Sequence, residues 1–169
     1  MDISKITNIN AKAFFDQFLI NRNINLEFYQ QVPEHNLDYR MVDNPNRKSD
    51  SPRESIAHQI TTDRQYLDAV KSGELNFGIE YDDLKKASKL TKQELLHKLE
   101  ADTQKLIELL SDEENCDKKI TVPWSKVPIG VISMLYGLDS HEVLHTGWNL
   151  AIMDHLNIER FPALRETWG

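Results

Sequence analysis

Four long stretches of this chain place apolar residues at three- and four-residue steps, and none alternates with period two, so the fold is confined to helix packed on helix. The first runs from about Asn10 to Gln31, with Ala11, Phe14, Phe15, Phe18, Leu19, Leu26 and Tyr29 on one stripe. Pro33 stops it, because proline lacks the N–H that a further turn needs. The second opens at Ser51-Pro52-Arg53-Glu54, a capping box with proline at the first helical position. Ile56, Ile60, Leu67 and Val70 carry its stripe, and Gly73 ends it. The third opens at a second capping box, Thr91-Lys92-Gln93-Glu94, presents Leu95, Leu99, Leu106, Leu109 and Leu110, and stops in the acidic loop Ser111 to Asp117. The last spans about Ile129 to Asn157, with Asp139-Ser140 as a point where it could restart. Glu74 to Leu90 has room for a short helical turn, and Pro123 and Pro128 punctuate the run into the last helix. The loop from Glu34 to Asp50 is long for a compact domain, and such loops are often functional. It is also long enough to cross the end of a bundle, so the second helix need not lie beside the first. The expectation is one all-α domain over residues 1–169, a four-helix bundle with a long crossover between helices one and two.

Composition narrows the function. At 169 residues the chain can bury a sizeable core, and 40% hydrophobic with 28% charged residues is an ordinary globular balance. Net charge is −7 with no basic block, which disfavours both nucleic acid and an anionic membrane surface as partners. A single cysteine, Cys116, allows no internal disulfide and fits a reducing compartment. Its acidic neighbours, Asp112, Glu113, Glu114 and Asp117, disfavour the thiolate and hence a nucleophile role. The first ten residues lack the apolar run of a signal peptide. Val127 to Leu138 is too short to span a bilayer. A cytoplasmic protein is expected.

The chemistry lies in the last helix. At about 100° per residue, Val131, Met134, Leu135, Leu138, Ile152, Met153 and Leu156 fall on one face. His141, Glu142, His145 and Asn149 interrupt that face, and burying such groups without partners costs about 1–3 kcal/mol each. Histidines four apart can reach one point beside the helix. Zinc, nickel, copper and iron all accept imidazole, and a catalytic metal site commonly has three protein ligands and an open position. Two core histidines satisfied by hydrogen bonds would explain the same residues. His141-Glu142-Val143-Leu144-His145 also matches the HExxH zinc-peptidase pattern, in which the glutamate is the general base. The continuation of that pattern fails, since Ala151 stands where a third histidine is needed and no strand is expected to align a peptide.

These residues resemble the DinB/YfiT-like metal-binding four-helix bundles. A histidine follows the capped start of the second helix, Arg53-Glu54-Ser55-Ile56-Ala57-His58, and a later helix bears His141-x-x-x-His145 followed by Gly147. The preceding loop, Val32-Pro33-Glu34 and Leu37-Asp38-Tyr39-Arg40, is similar too, and the resemblance covers about Phe14 to Pro162. It implies a metal triad of His58, His141 and His145, with one divalent transition metal such as zinc, nickel or iron. The family usually has a His-Arg-Gly-Gln run where this chain reads His145-Thr146-Gly147-Trp148, so that arginine and glutamine are absent. On its own helix wheel His58 lies opposite Ile56, Ile60 and Leu67, beside Glu54, Thr61, Thr62 and Gln65, which by itself reads as a surface histidine.

The resemblance further implies a metal-dependent enzyme on a small molecule, either a transferase using a low-molecular-weight thiol or a hydrolase, with a homodimer as a further expectation. Glu142 is the candidate catalytic base, and Asn149 a candidate ligand contact. A non-catalytic metal protein or a helical interaction module, with Phe161 and Trp168 as contacts, is the alternative. His97 reads as solvated, His35 as a loop residue that could sit near the mouth of the site, and His155 as a neighbour of the site or a surface residue.

Overall fold

The computed structural model describes all 169 residues, Met1–Gly169. Asn8 starts α1 (Ile9–Gln31), its side-chain oxygen accepting from the N–H groups of Asn10 and Ala11. Both expected capping boxes form. Ser51 and Glu54 exchange hydrogen bonds at the start of α2 (Pro52–Ser72), and Thr91 and Glu94 do so at α3 (Lys92–Leu110). Each satisfies N–H groups that a helix leaves without partners. Gly73, at φ 85°, closes α2 in a left-handed conformation that costs glycine little. The acidic loop holds one extra turn, α4 (Glu113–Cys116). The last long helix, α5 (Val131–Leu156), runs unbroken through Asp139-Ser140, and Asn157 ends it. No restart occurs because Asp139 turns inward, accepting from Asn21 at 2.7 Å rather than capping. The tail folds into α6 (Pro162–Trp168), where Phe161 and Leu164 are buried and Trp168 is half exposed.

The all-α expectation holds, with two small additions. In the crossover, β1 (Asp43–Asn44) pairs antiparallel with β2 (Arg47–Lys48), Asp43 opposite Lys48. Before α5, β3 (Lys119–Ile120) pairs antiparallel with β4 (Ile129–Gly130). Two-residue strands are too short to show as alternation. No helix is long and apolar enough to cross a membrane.

The crossover sets the topology. Helix α1 packs mainly on α5, and α2 on α3 and α5. Helices α1 and α2 therefore face each other diagonally, which a short turn could not achieve. Two arginines pin the crossover to α2: Arg53 grips Asp38 at 2.7 and 3.1 Å and reaches the Leu90 carbonyl, and Arg40 pairs with Glu54 and the Ser49 carbonyl.

The core is split along its length. One apolar cluster gathers Phe14, Phe15, Phe18, Val70, Leu110 and Leu135. The other gathers Phe28, Ile56, Ile60, Leu99, Met153 and Phe161. Between them lies a buried polar layer with one contribution from each long helix: Arg22, Asp63, Thr103 and Glu142. Arg22 donates to both oxygens of Asp63 at 2.6 and 2.8 Å, to Glu142 at 2.8 Å and to Thr103 at 2.8 Å. Burial alone would lower the Arg22 pKa, but Asp63 and Glu142 outweigh it and hold the guanidinium charged. Desolvation pushes Asp63 up to about 6 despite that partner.

Candidate metal centre

The histidine cluster lies at the level of this polar layer, in the cleft between α2 and α5. His141 and His145 sit one turn apart on α5, and the rotation between them brings both rings to the α2 side, where His58 meets them. The Nε2 atoms of His58 and His141 are 3.0 Å apart, and those of His141 and His145 are 3.3 Å apart. One ligand nitrogen from each of the three rings lies within 4.8 Å of the others. All three expected ligands are thus brought together. His58 is exposed as its own helix wheel indicates, but the exposed face of α2 is one wall of a cleft.

The state of these rings follows from their surroundings. Desolvation, with the neighbouring imidazoles adding to it, lowers His141 to about 4 and His145 to about 3. Both are neutral near pH 7, with a lone pair free on each ring. His145 Nδ1 lies 2.8 Å from Ser55 Oγ, which in turn lies 2.8 Å from the Tyr29 hydroxyl. An Nδ1–H donated to Ser55 leaves the Nε2 lone pair of His145 pointing into the cluster. The Nε2 contacts can be bridged by a proton on one ring, as imidazole hydrogen bonds, or by a cation placed among the lone pairs. The donor set fits a divalent transition metal, which imidazole suits, and could hold one.

A pH prediction arises here. In the unfolded chain His141 and His145 take up protons below about 6.5, whereas in the fold they stay neutral down to about 4 and 3. Their contribution to stability is therefore present above the unfolded pKa and lost as pH falls through the folded values. Asp63 acts with the opposite sign, since a raised carboxyl pKa favours the fold at low pH and loses that contribution as pH rises through about 6. The urea midpoint of the metal-free protein is expected to fall between pH 7 and pH 4. A His141→Gln, His145→Gln double variant is expected to show a shallower fall. An unchanged slope in that variant would contradict the assignment.

Glu142 stands elsewhere than expected for a base. It is fully buried, with one oxygen accepting from Arg22 and the other from Asn25 at 2.9 Å. One residue of helical rotation separates it from His141, enough to turn it to the bundle interior while the histidines face the cleft. The same burial removes the base that a zinc peptidase needs. Asn149 is buried as well, donating to Asn25 at 2.9 Å, and belongs to the polar layer. His155 meets the Tyr39 hydroxyl at 3.1 Å, while His35 and His97 are exposed. Cys116 is buried, and desolvation followed by its acidic neighbours raises its pKa.

Arg22, Asp63 and Ser55 are the functional and structural residues that the sequence reading passed over. Arg22 falls four residues after Phe18 and four before Leu26, and Asp63 falls between Ile60 and Leu67. Both thus occupy stripe positions, and that phase was the signal.

No family model matches the chain, and no curated protein matches it in sequence. Solved structures similar in fold include the following two. YjoA, a DinB-like protein from Bacillus subtilis, aligns with a TM-score of 0.63 at 19% identity, over 89% of this chain and 95% of YjoA. A mycothiol-dependent maleylpyruvate isomerase aligns with a TM-score of 0.57 at 10% identity, over 79% of this chain and 59% of the isomerase. This chain thus spans less than two thirds of the isomerase. With four long helices in this order and a crossover that puts α1 and α2 on a diagonal, the fold of this chain is DinB-like.

Proposed function

We propose that the chain is a metal-dependent enzyme that transfers a low-molecular-weight thiol to a small electrophile, with His58, His141 and His145 holding one divalent transition metal ion. The observation that carries this reading is the convergence of three imidazole nitrogens at the mouth of a cleft, with no fourth His, Cys, Asp or Glu in the cluster. A structural zinc site normally has four protein ligands, whereas three ligands leave a position for substrate. A metal in that position supplies Lewis acidity and lowers the pKa of a thiol or water that binds it. The protein's own part is to orient and to exclude water. Ser55 and Tyr29 hold the His145 ring, and Arg22 and Asn25 hold Glu142, and with it the α5 backbone, from the opposite side.

The choice of thiol transfer over hydrolysis is supported by the fold relative named for its dependence on mycothiol. The experiment compares zinc-loaded and metal-free protein with mycothiol or glutathione plus 1-chloro-2,4-dinitrobenzene, and in parallel with p-nitrophenyl acetate alone. Thiol adduct formation that rises with metal and disappears in His145→Ala supports the transferase. Ester hydrolysis alone would replace it with a hydrolase. Equal rates with and without metal in both assays contradict an enzyme of either kind.

A further inference from the structure

The histidine cluster opens on one side into a cleft of about 460 Å³ between α2 and α5, closed at its far end by the loop after α2. That volume suits a small molecule. The cleft's lining divides by chemistry. Phe77 and Leu144 supply apolar walls. Phe77 is stacked on Trp124 with centroids 6.1 Å apart and stands 6.2 Å from Tyr66, so its ring is held in place. Gln65 fixes that loop from below, its amide donating to the carbonyls of Phe77 and Ile79 at 3.0 and 3.1 Å.

The polar lining is more telling. Three of its groups already donate within the protein: Thr61 to the Ala57 carbonyl, Gln65 as above, and Ser140 to the Tyr136 carbonyl. Thr62 and Tyr66 do not. They lie four apart on one face of α2, are only 5% and 4% exposed, and line the cleft, yet neither hydroxyl makes a hydrogen bond to the protein. Both hydroxyls open onto the cleft, where a ligand can take up the hydrogen bond that the protein leaves free. Gly137 lets Tyr66 take this position, since a Cβ there would come within 2.8 Å of the hydroxyl oxygen. Burial pushes the phenol up to about 12, so it stays protonated and able to donate.

We infer that this cleft binds a compact aromatic or alicyclic molecule carrying a carbonyl oxygen, with its ring between Phe77 and Leu144 and its oxygen accepting from the Tyr66 and Thr62 hydroxyls. Two hydroxyls that face the cleft and make no hydrogen bond to the protein suit an acceptor on the ligand, and the apolar walls suit a ring beside it. His58 and His141 line the same cleft, so such a ligand lies against the imidazole cluster. That the ligand is a substrate rests on the metal-dependent reading above, whereas its binding does not.

The test uses acetophenone, which has both ring and carbonyl, against acetone, which lacks the ring, and ethylbenzene, which lacks the oxygen. Binding is followed by protein-observed NMR in metal-free and zinc-loaded protein. Saturable shifts confined to Tyr66, Thr62, Phe77 and Leu144 are expected. Acetophenone is expected to bind roughly 3–10 times more tightly than ethylbenzene, the worth of one net hydrogen bond, and at least about 10 times more tightly than acetone. A Thr62→Val, Tyr66→Phe double variant should erase the advantage over ethylbenzene while binding ethylbenzene as before. Phe77→Ala, at a half-exposed position, should weaken both ring compounds by about fivefold. Acetone binding as well as acetophenone, shifts scattered elsewhere, or an unchanged advantage in the double variant would each overturn the inference. Failure of zinc to bind is seen separately by titration and bears only on the metal reading, because the metal-free arm still decides the cleft.

Discussion

Replacing Arg22 with methionine is expected to destabilise the protein by about 3–5 kcal/mol, the range for removing one partner from a buried ion pair. The guanidinium is wholly buried and bridges Asp63 and Glu142 across the bundle. Its loss leaves two buried carboxylates facing each other with no cation. They respond by holding protons in the folded state, which raises their folded pKa values, so the variant gains stability as pH falls. The gap between variant and wild type is therefore expected to be larger at pH 8 than at pH 5.5, as read from urea unfolding at both values. A triple variant, Arg22→Met with Asp63→Asn and Glu142→Gln, is expected to recover part of the loss, since replacing every charge in a buried cluster is far less costly than orphaning some of them. A methionine variant within 1 kcal/mol of wild type, on the order of surface substitutions, would mean that the polar layer does not hold the four helices together.

Replacing His145 with alanine is expected to weaken metal affinity by about 10²–10³-fold, the share of one ligand in the free energy of binding a transition metal. Of the three histidines, His145 has its ring held in place through Ser55 and Tyr29. Ser55→Ala is expected to keep the stoichiometry and lose about 10–100-fold in affinity, because it frees the ring without removing the nitrogen. Glu142→Gln should do the reverse, lowering stability while leaving metal affinity within a few fold, since its carboxylate faces Arg22 and not the cluster. Calorimetric titration with zinc and unfolding curves on the three variants separate these outcomes. A Glu142→Gln variant that loses metal while keeping its stability would return the glutamate to the site.

The helices were legible because their signals are local. Capping boxes at Ser51 and Thr91, the stop at Gly73 and the three- and four-residue stripes each act within a turn or two of chain. The crossover was legible from its length alone. The two-residue strands were not, being shorter than any period they could display. At the site, the i, i+4 pair His141 and His145 stands out on α5 by itself. His58 does not, since nothing on α2 says that its polar face is a cleft wall; that fact belongs to the packing of α2 against α5. The inward position of Glu142 was not legible for a related reason. Its neighbour in space is Arg22, 120 positions earlier, and the interrupted stripe of α1 has to be read together with that of α5 to pair them. Tyr66 and Gly137 lie on different helices and meet only in three dimensions.

The most direct measurement is the metal content of purified protein carrying no histidine tag, by elemental analysis, followed by titration of the metal-free form with zinc and nickel. Three converging imidazoles predict one equivalent per chain, bound more tightly than micromolar and markedly weakened when His58, His141 or His145 becomes alanine. A protein that carries no transition metal and takes none up with better than micromolar affinity contradicts the account, and leaves the three rings as ordinary histidines of a helical bundle.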